Sequence, residues 1–253
     1  MAEIGLLEAC QLLDYVELPV AKALMDADDQ FRGLAVALRS SGLAAHAANV
    51  FLPSTLRVVG PDARLGELAD YAVTALDRAQ QLGITMLVFG SGASRHVPSG
   101  FSRADALDQF ESAVRTVHRE AIRRGVTLAL EPLHSEETNL LNTVGEGADF
   151  IRERQLTGVR LVADLWHMEC EREPLDALGD AGDLIAHAHV AAADRRAPGQ
   201  AADRIEPFLR QLRESDYAGA CSIECRWSDM ARELPWAVAR VREAAEAAGM
   251  DVP

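Results

Sequence analysis

The feature that most constrains this chain is a regular alternation of short β-rich runs with longer amphipathic segments. The runs are "DYVELPV" (14–20), "LAAHAAN" (43–49), "ITMLVFGS" (84–91), "VTLALEPL" (126–133), "VRLVADLW" (159–166), "IAHAHVAA" (185–192) and "GACSIECR" (219–226). They are apolar nearly throughout, the pattern of parallel strands covered on both faces. Gly often precedes a run, as in "QLGI", "RRGV", "LTGV" and "YAGA", where a helix C-cap feeds a strand. Between the runs, 63–82 spaces Leu65, Leu68, Ala69, Ala72, Val73 and Leu76 on one helical face. Segment 106–124 does the same with Leu107, Phe110, Val114, Val117 and Ile122. No Pro/Gly/Ser-rich linker divides the chain, so residues 1–253 are expected to form a single α/β domain.

Unit length narrows the fold. Glu131, Asp164, His189 and Glu224 stand at corresponding places near strand ends, separated by 33, 25 and 35 residues, which are βα-unit lengths. In a (β/α)8 TIM-type barrel such ends converge on one face; a doubly wound sheet spreads them along a line. The barrel is therefore the expectation. It is one strand short, because "MAEIGLLEACQLL" before the first run reads as a helix. The first strand is either missing, leaving an open seven-stranded barrel, or very short and disguised in the first few residues.

Strand alternation aims the side chains. In "CSIEC" the trio Cys221, Ile223 and Cys225 shares the face toward the helices, leaving Ser222 and Glu224 to point inward. The two cysteines are thereby structural, not zinc ligands. His187 and His189 share the inward face of their strand, and Glu131 and Asp164 close apolar strands in the same way. Three carboxylates at one point repel one another unless a cation joins them. An oxygen-rich set with one imidazole suits Mn²⁺, Mg²⁺ or Co²⁺.

The net charge of −14 disfavours nucleic-acid backbones and anionic membranes as partners. The N-terminus lacks a signal-peptide pattern, and no run approaches the ~20 apolar residues of a membrane span. Four scattered cysteines make no disulfide framework. These features lead to the expectation of a cytoplasmic protein.

Four segments, "LALEPLHSEETNLLNT", "VADLWHMECE", "AHAHVAAADRRAPG" and "YAGACSIECRW", resemble the xylose isomerase-like TIM-barrel superfamily, in its sugar isomerase and epimerase branch. The resemblance spans nearly the whole chain. It implies a divalent metal, usually Mn²⁺, held by Glu131, Asp164, His189 and Glu224. It also implies substrate contacts from Glu137, His167 and Arg195, with His187 behind the ligands or lining the pocket wall. The implied activity is isomerisation or epimerisation of a ketose or related small sugar. Glu131 and Glu224 serve as the catalytic proton carriers, working through an enediolate that the metal stabilises. A homo-oligomer, dimer or tetramer, is implied as well. The chain departs from the family in its first strand and in His134, where many relatives carry Asn. Loop 89–100 holds Arg95 and His96, which could meet a phosphate, although a flexible lid is the preferred reading. The rival readings are a metal-dependent lyase of the same superfamily, for example one acting on an oxidised glycoside, and a partner-binding subunit without activity. A DNA-repair endonuclease is disfavoured by the charge and by too few histidines for a multi-zinc cluster. The sequence leaves open which sugar is used and whether it is phosphorylated.

Overall fold

The computed structural model describes residues 11–199 and 202–250. Residues 1–10, where a disguised first strand was one of the two alternatives and where Cys10 lies, fall outside them. Each of the seven runs forms a strand: β1 (Tyr15–Pro19), β2 (Ala44–Asn49), β3 (Met86–Phe89), β4 (Thr127–Leu130), β5 (Arg160–Asp164), β6 (Ile185–Val190) and β7 (Ala220–Ile223). All neighbouring pairs are parallel and the order is β1 to β7 in chain sequence, which wraps the sheet into a nearly closed TIM-type barrel. Among the described residues no backbone ladder joins β7 to β1. Side chains bridge that seam instead, with the Tyr15 hydroxyl 2.9 Å from Ser222 Oγ.

The main helices are α1 (Asp28–Ser41), α2 (Leu65–Leu82), α3 (Arg103–Arg123), α4 (Val144–Glu153), α5 (Leu165–Glu171), α6 (Ile205–Glu214) and α7 (Met230–Ala248). Their apolar stripes pack on the outer face of the sheet, as expected for a barrel. In α3 the Ser102 hydroxyl caps the first turn, accepting from the Asp105 N–H. The buried positions of α3 include Phe110, Val114, Val117 and Ala121. Ile122, expected on this face, lies about 100° further round the helix and is 62% exposed. Phe51, Phe89, Phe110 and Phe150 form a line between strands and helices, with ring centroids 5.2–5.5 Å apart. Each fully buried aromatic ring contributes about 1.5–3 kcal/mol through burial.

Gly83 ends α2 with φ +77°, as the C-cap pattern predicts. Gly219 serves a different need: a Cβ there would meet the Ala186 carbonyl oxygen at 2.6 Å. Cys221 and Ile223 pack against the helix-side core, and burial pushes both the Cys221 and Cys225 thiols up to about 12. Neither is poised for thiolate chemistry. No helix among the described residues is long and apolar enough to cross a membrane.

The barrel interior has two layers. From β2 to β5 its floor is apolar, where Ala47, Met86, Val88, Ala129 and Val162 pack together, while at the same level β1 and β6 bring Glu17 and His187. One pleat above that floor, at the C-terminal ends of the strands, the inward side chains become ionisable.

Candidate active site

Ala129 and Val162 face the axis in the floor, so Glu131 and Asp164, two residues on, face it one layer higher. The β5–β6 register pairs Asp164 with His189, and the β6–β7 register pairs His189 with Ser222, bringing Glu224 within reach. One ligand-capable atom from each of Glu131, Asp164, His189 and Glu224 lies within 4.8 Å of those of the other three. His189 Nδ1 is the common neighbour. It stands 3.0 Å from Glu131 Oε1, 3.3 Å from Glu224 Oε2 and 3.7 Å from Asp164 Oδ2.

Asp164 uses its two oxygens differently. Oδ1 caps α5, accepting the N–H groups of Trp166 at 2.7 Å and His167 at 3.1 Å. Oδ2 is buried without a hydrogen-bond partner. An unsatisfied buried oxygen costs about 1–3 kcal/mol, more when charged. A divalent cation is the partner such an atom lacks, and three carboxylates with one imidazole form a suitable donor set. Burial pushes the Glu131 carboxyl up, to about 7, with the Glu224 charge adding to it against the hydrogen bond from His189. Burial opposes charge on His189 too, but Glu17 and Glu224 outweigh it and hold the imidazolium well above its usual range. For Asp164 burial is likewise outweighed, by its neighbours His167, His189 and Arg195, which hold its carboxyl low.

Three further expected residues line the mouth above this group. Arg195 Nη2 donates to Glu224 Oε2 at 2.8 Å, and Nη1 donates to Glu137 Oε1 at 3.3 Å. Asp194 and Arg195 both have positive φ, 59° and 56°, a costly turn that aims the guanidinium back over the barrel. The guanidinium also stacks on Trp166, 4.7 Å from the ring centroid. His167 Nδ1 accepts the His134 backbone N–H at 3.1 Å and lies 2.8 Å from His134 Nδ1. Its hydrogen therefore sits on Nε2, which is buried, unpartnered and 3.9 Å from Asp164 Oδ2. Burial lowers the His167 pKa, favouring this neutral donor form. The backbone N–H of residue 134 thus sets the tautomer of His167, whatever side chain stands there.

His187 is placed deeper. It is fully buried, and its Nε2 is 3.0 Å from Glu17 Oε2 and 3.1 Å from Ser222 Oγ, behind His189 instead of at the mouth. The sequence reading missed Glu17, Asn49, Trp166 and Gly90. Asn49 closes the apolar β2 as Glu131 closes β4, a signal that was available, and its Nδ2 donates to Glu224 Oε1 at 3.1 Å. Gly90 leaves space: a Cβ there would lie 2.2 Å from Glu131 Oε2.

Loop 89–100 departs from both of its expected roles. Arg95 is fully buried, donates to the Glu131 carbonyl oxygen at 2.7 Å and lies over Phe110. It anchors the backbone behind Glu131 and does not face a phosphate. The short helical turn Gly92–Arg95 is packed, with Gly92, Ser94 and Arg95 buried, a support instead of a lid.

Residues 7–249 match the family described as Xylose isomerase-like TIM barrel. A 3-dehydro-D-guloside 4-epimerase of Escherichia coli (strain K12) is 32% identical over 115 residues, 45% of this chain and 44% of that protein. A D-psicose 3-epimerase of Agrobacterium fabrum (strain C58 / ATCC 33970) is 33% identical over 101 residues, 40% of this chain and 35% of that protein. The chain thus spans less than half the length of either curated relative. The solved structure of an L-ribulose 3-epimerase superposes with a TM-score of 0.84 over 98% of this chain and 88% of that one, at 22% identity, which shows a shared fold.

Proposed function

This chain belongs to the xylose isomerase-like TIM barrel family, and on that premise we propose that it is a divalent-metal-dependent sugar epimerase. It inverts a carbon next to the carbonyl of a ketose or related small sugar. The observation that carries this reading is the pair Glu131 and Glu224, which reach His189 Nδ1 from strands β4 and β7, at 3.0 and 3.3 Å. Both curated relatives are named as epimerases at a carbon that adjoins a ketone: position 3 of a 2-ketose, position 4 of a 3-dehydro sugar.

Glu131, Asp164 Oδ2, His189 Nδ1 and Glu224 would hold the ion, with Mn²⁺ the best match to the donor set and Mg²⁺ or Co²⁺ next. When bound it supplies Lewis-acid polarisation of the sugar carbonyl. The carbon–hydrogen bond beside that carbonyl is weakly acidic and needs a positioned base. Glu131, with its raised pKa, takes the proton from one face. Glu224, held by Asn49 and Arg195, returns a proton to the opposite face. Return to the opposite face of the same carbon gives the epimer, and return to the adjacent carbon would give the isomer. His167 Nε2–H and Arg195 donate to sugar oxygens, and Glu137 accepts from a hydroxyl. Trp166 and the apolar floor keep bulk water from the reacting carbon.

The test is to chelate the purified protein, titrate Mn²⁺ back, and follow a ketose panel in D₂O. The expected result is about one ion per chain, turnover that depends on it, and deuterium at the inverted carbon. Undiminished turnover after complete chelation would sink the reading.

A further inference from the structure

Below the proposed ligands lies a cluster of titratable groups that the chemistry above leaves unused. Glu17 faces the barrel interior from β1, with its side chain 7% exposed. Its Oε2 is 3.0 Å from His187 Nε2, and its Oε1 and Oε2 are 3.1 and 3.2 Å from His189 Nε2. A carboxylate oxygen accepts, and at these distances Nε2 of each ring is the atom that donates to Glu17. His187 extends the contacts to Ser222 Oγ, and Ser222 extends them to Tyr15 on β1. The β1–β2 register slips between Val16 and Glu17, which pair with Ala45 and Ala47. Such irregularities re-aim a side chain beside a site.

We infer that Glu17 is a positioning residue for the metal site, fixing the ring of His189 so that Nδ1 is aimed at the point it shares with Glu131, Asp164 and Glu224, where a metal would take its lone pair. The inference rests on the metal reading above. A neutral imidazole carries one hydrogen, and a metal needs the other nitrogen bare. With Glu17 accepting from Nε2, the hydrogen is kept off Nδ1 and the ring plane is held by a carboxylate from across the seam. Without it, the ring is free to place its hydrogen on Nδ1, the atom 3.0 Å from Glu131, and the metal-binding tautomer is lost part of the time. Carboxylates that orient metal-bound histidines in this way alter metal affinity about 10–100-fold when changed. A simple clasp across the seam would behave differently, affecting the stability of the metal-free fold and leaving affinity alone.

Chelated wild-type protein, Glu17→Gln and Glu17→Asp are titrated with Mn²⁺ by calorimetry, with Tm measured on the metal-free proteins. The Gln variant keeps the volume but leaves one acceptor oxygen for two imidazole donors. The Asp variant keeps the charge but shortens the reach. The expected result is one Mn²⁺ per wild-type chain and a Kd about 10–100-fold higher in Glu17→Gln, with partial recovery in Glu17→Asp. Unchanged affinity in Glu17→Gln, with only its Tm lowered, would overturn the assignment and leave a structural clasp. A folded wild type that binds no Mn²⁺ would overturn the metal reading, and this inference with it. The wild type also decides the question if the variants do not fold. Loaded with diamagnetic Zn²⁺, its His189 ¹⁵N resonances should show hydrogen on Nε2 and metal on Nδ1, and the reverse assignment overturns the proposal.

Discussion

Strands β4 to β7 each lead into an ionisable side chain aimed at the barrel axis, whereas β2 and β3 lead into Asn49 and Gly90. The first half places Glu131, Asp164, His189 and Glu224 within 4.8 Å of one another. The second half adds no charge there. It supplies one neutral donor, Asn49 to Glu224, and the room that Glu131 Oε2 occupies, because a Cβ at Gly90 would lie 2.2 Å from that oxygen. The same parallel-strand geometry therefore does two jobs around one axis. One side concentrates charge that only a cation can reconcile, and the other keeps the space and orientation in which the carboxylates can reach it. A site of this kind fails in two ways, by losing a ligand or by losing room, and the two are separable by experiment.

The largest effect is expected from the charged half. Glu131→Gln and Glu224→Gln each remove a proton carrier and a proposed ligand, so turnover should fall by about 10²–10⁴-fold. Metal content should fall with it, as measured by elemental analysis of gel-filtered protein. A Glu224→Gln variant with wild-type turnover and full metal content would remove Glu224 from both roles. It would also dissolve the division between the halves.

An intermediate effect is expected from the half that supplies room. Gly90→Ala puts a methyl group 2.2 Å from where Glu131 Oε2 now lies, so the carboxylate must move. No charge is changed, yet metal affinity should fall by about 10–100-fold, comparable to disturbing a ligand's support. The strain itself should cost about 1–3 kcal/mol of stability, seen as a lower urea midpoint. Gly33→Ala in α1 is the control: its Cβ would meet nothing within 4 Å, and it should leave metal binding unchanged. If Gly90→Ala binds Mn²⁺ as tightly as wild type, the volume beside Glu131 is incidental.

How much of this was legible in the sequence follows the same division. All seven strand runs could be read because a period of two and the βα-unit spacing are local signals, and the same spacing singled out Glu131, Asp164, His189 and Glu224, which lie within 4.8 Å of one another. Glu17 was not legible. A register slip interrupts the pairing of its strand, and its partner His187 is 170 residues away in sequence. Gly90 was invisible for another reason, since its constraint is the Glu131 oxygen that a Cβ would meet. Arg95 was misread because nothing local says that a loop arginine will turn under the barrel to hold the Glu131 carbonyl. Ile122 missed its face because a helix stripe drifts, and the choice between Ala121 and Ile122 depends on where α3 meets its neighbours. Charges at strand ends can be read locally, but room and support are set by what other segments bring.

The smallest effect, and the finest test of the comparison, lies with Asn49. Its amide donates to Glu224 Oε1 while Arg195 holds Oε2, so Glu224 is gripped from both halves of the barrel. Asn49→Ala removes one hydrogen bond to a charged group, typically about 1.5–3 kcal/mol. The Arg195 contact remains and the Glu224 side chain is itself 22% exposed, so the lower end of that range applies and kcat should fall about tenfold. Mn²⁺ stoichiometry should stay at the wild-type value, because no proposed ligand is lost. Metal titration alongside steady-state kinetics separates this outcome from that of Gly90→Ala, where affinity falls first. A loss of metal in Asn49→Ala would mean that the neutral half also sets the ligand geometry of Glu224, and that room and charge are not divided between the strands as drawn.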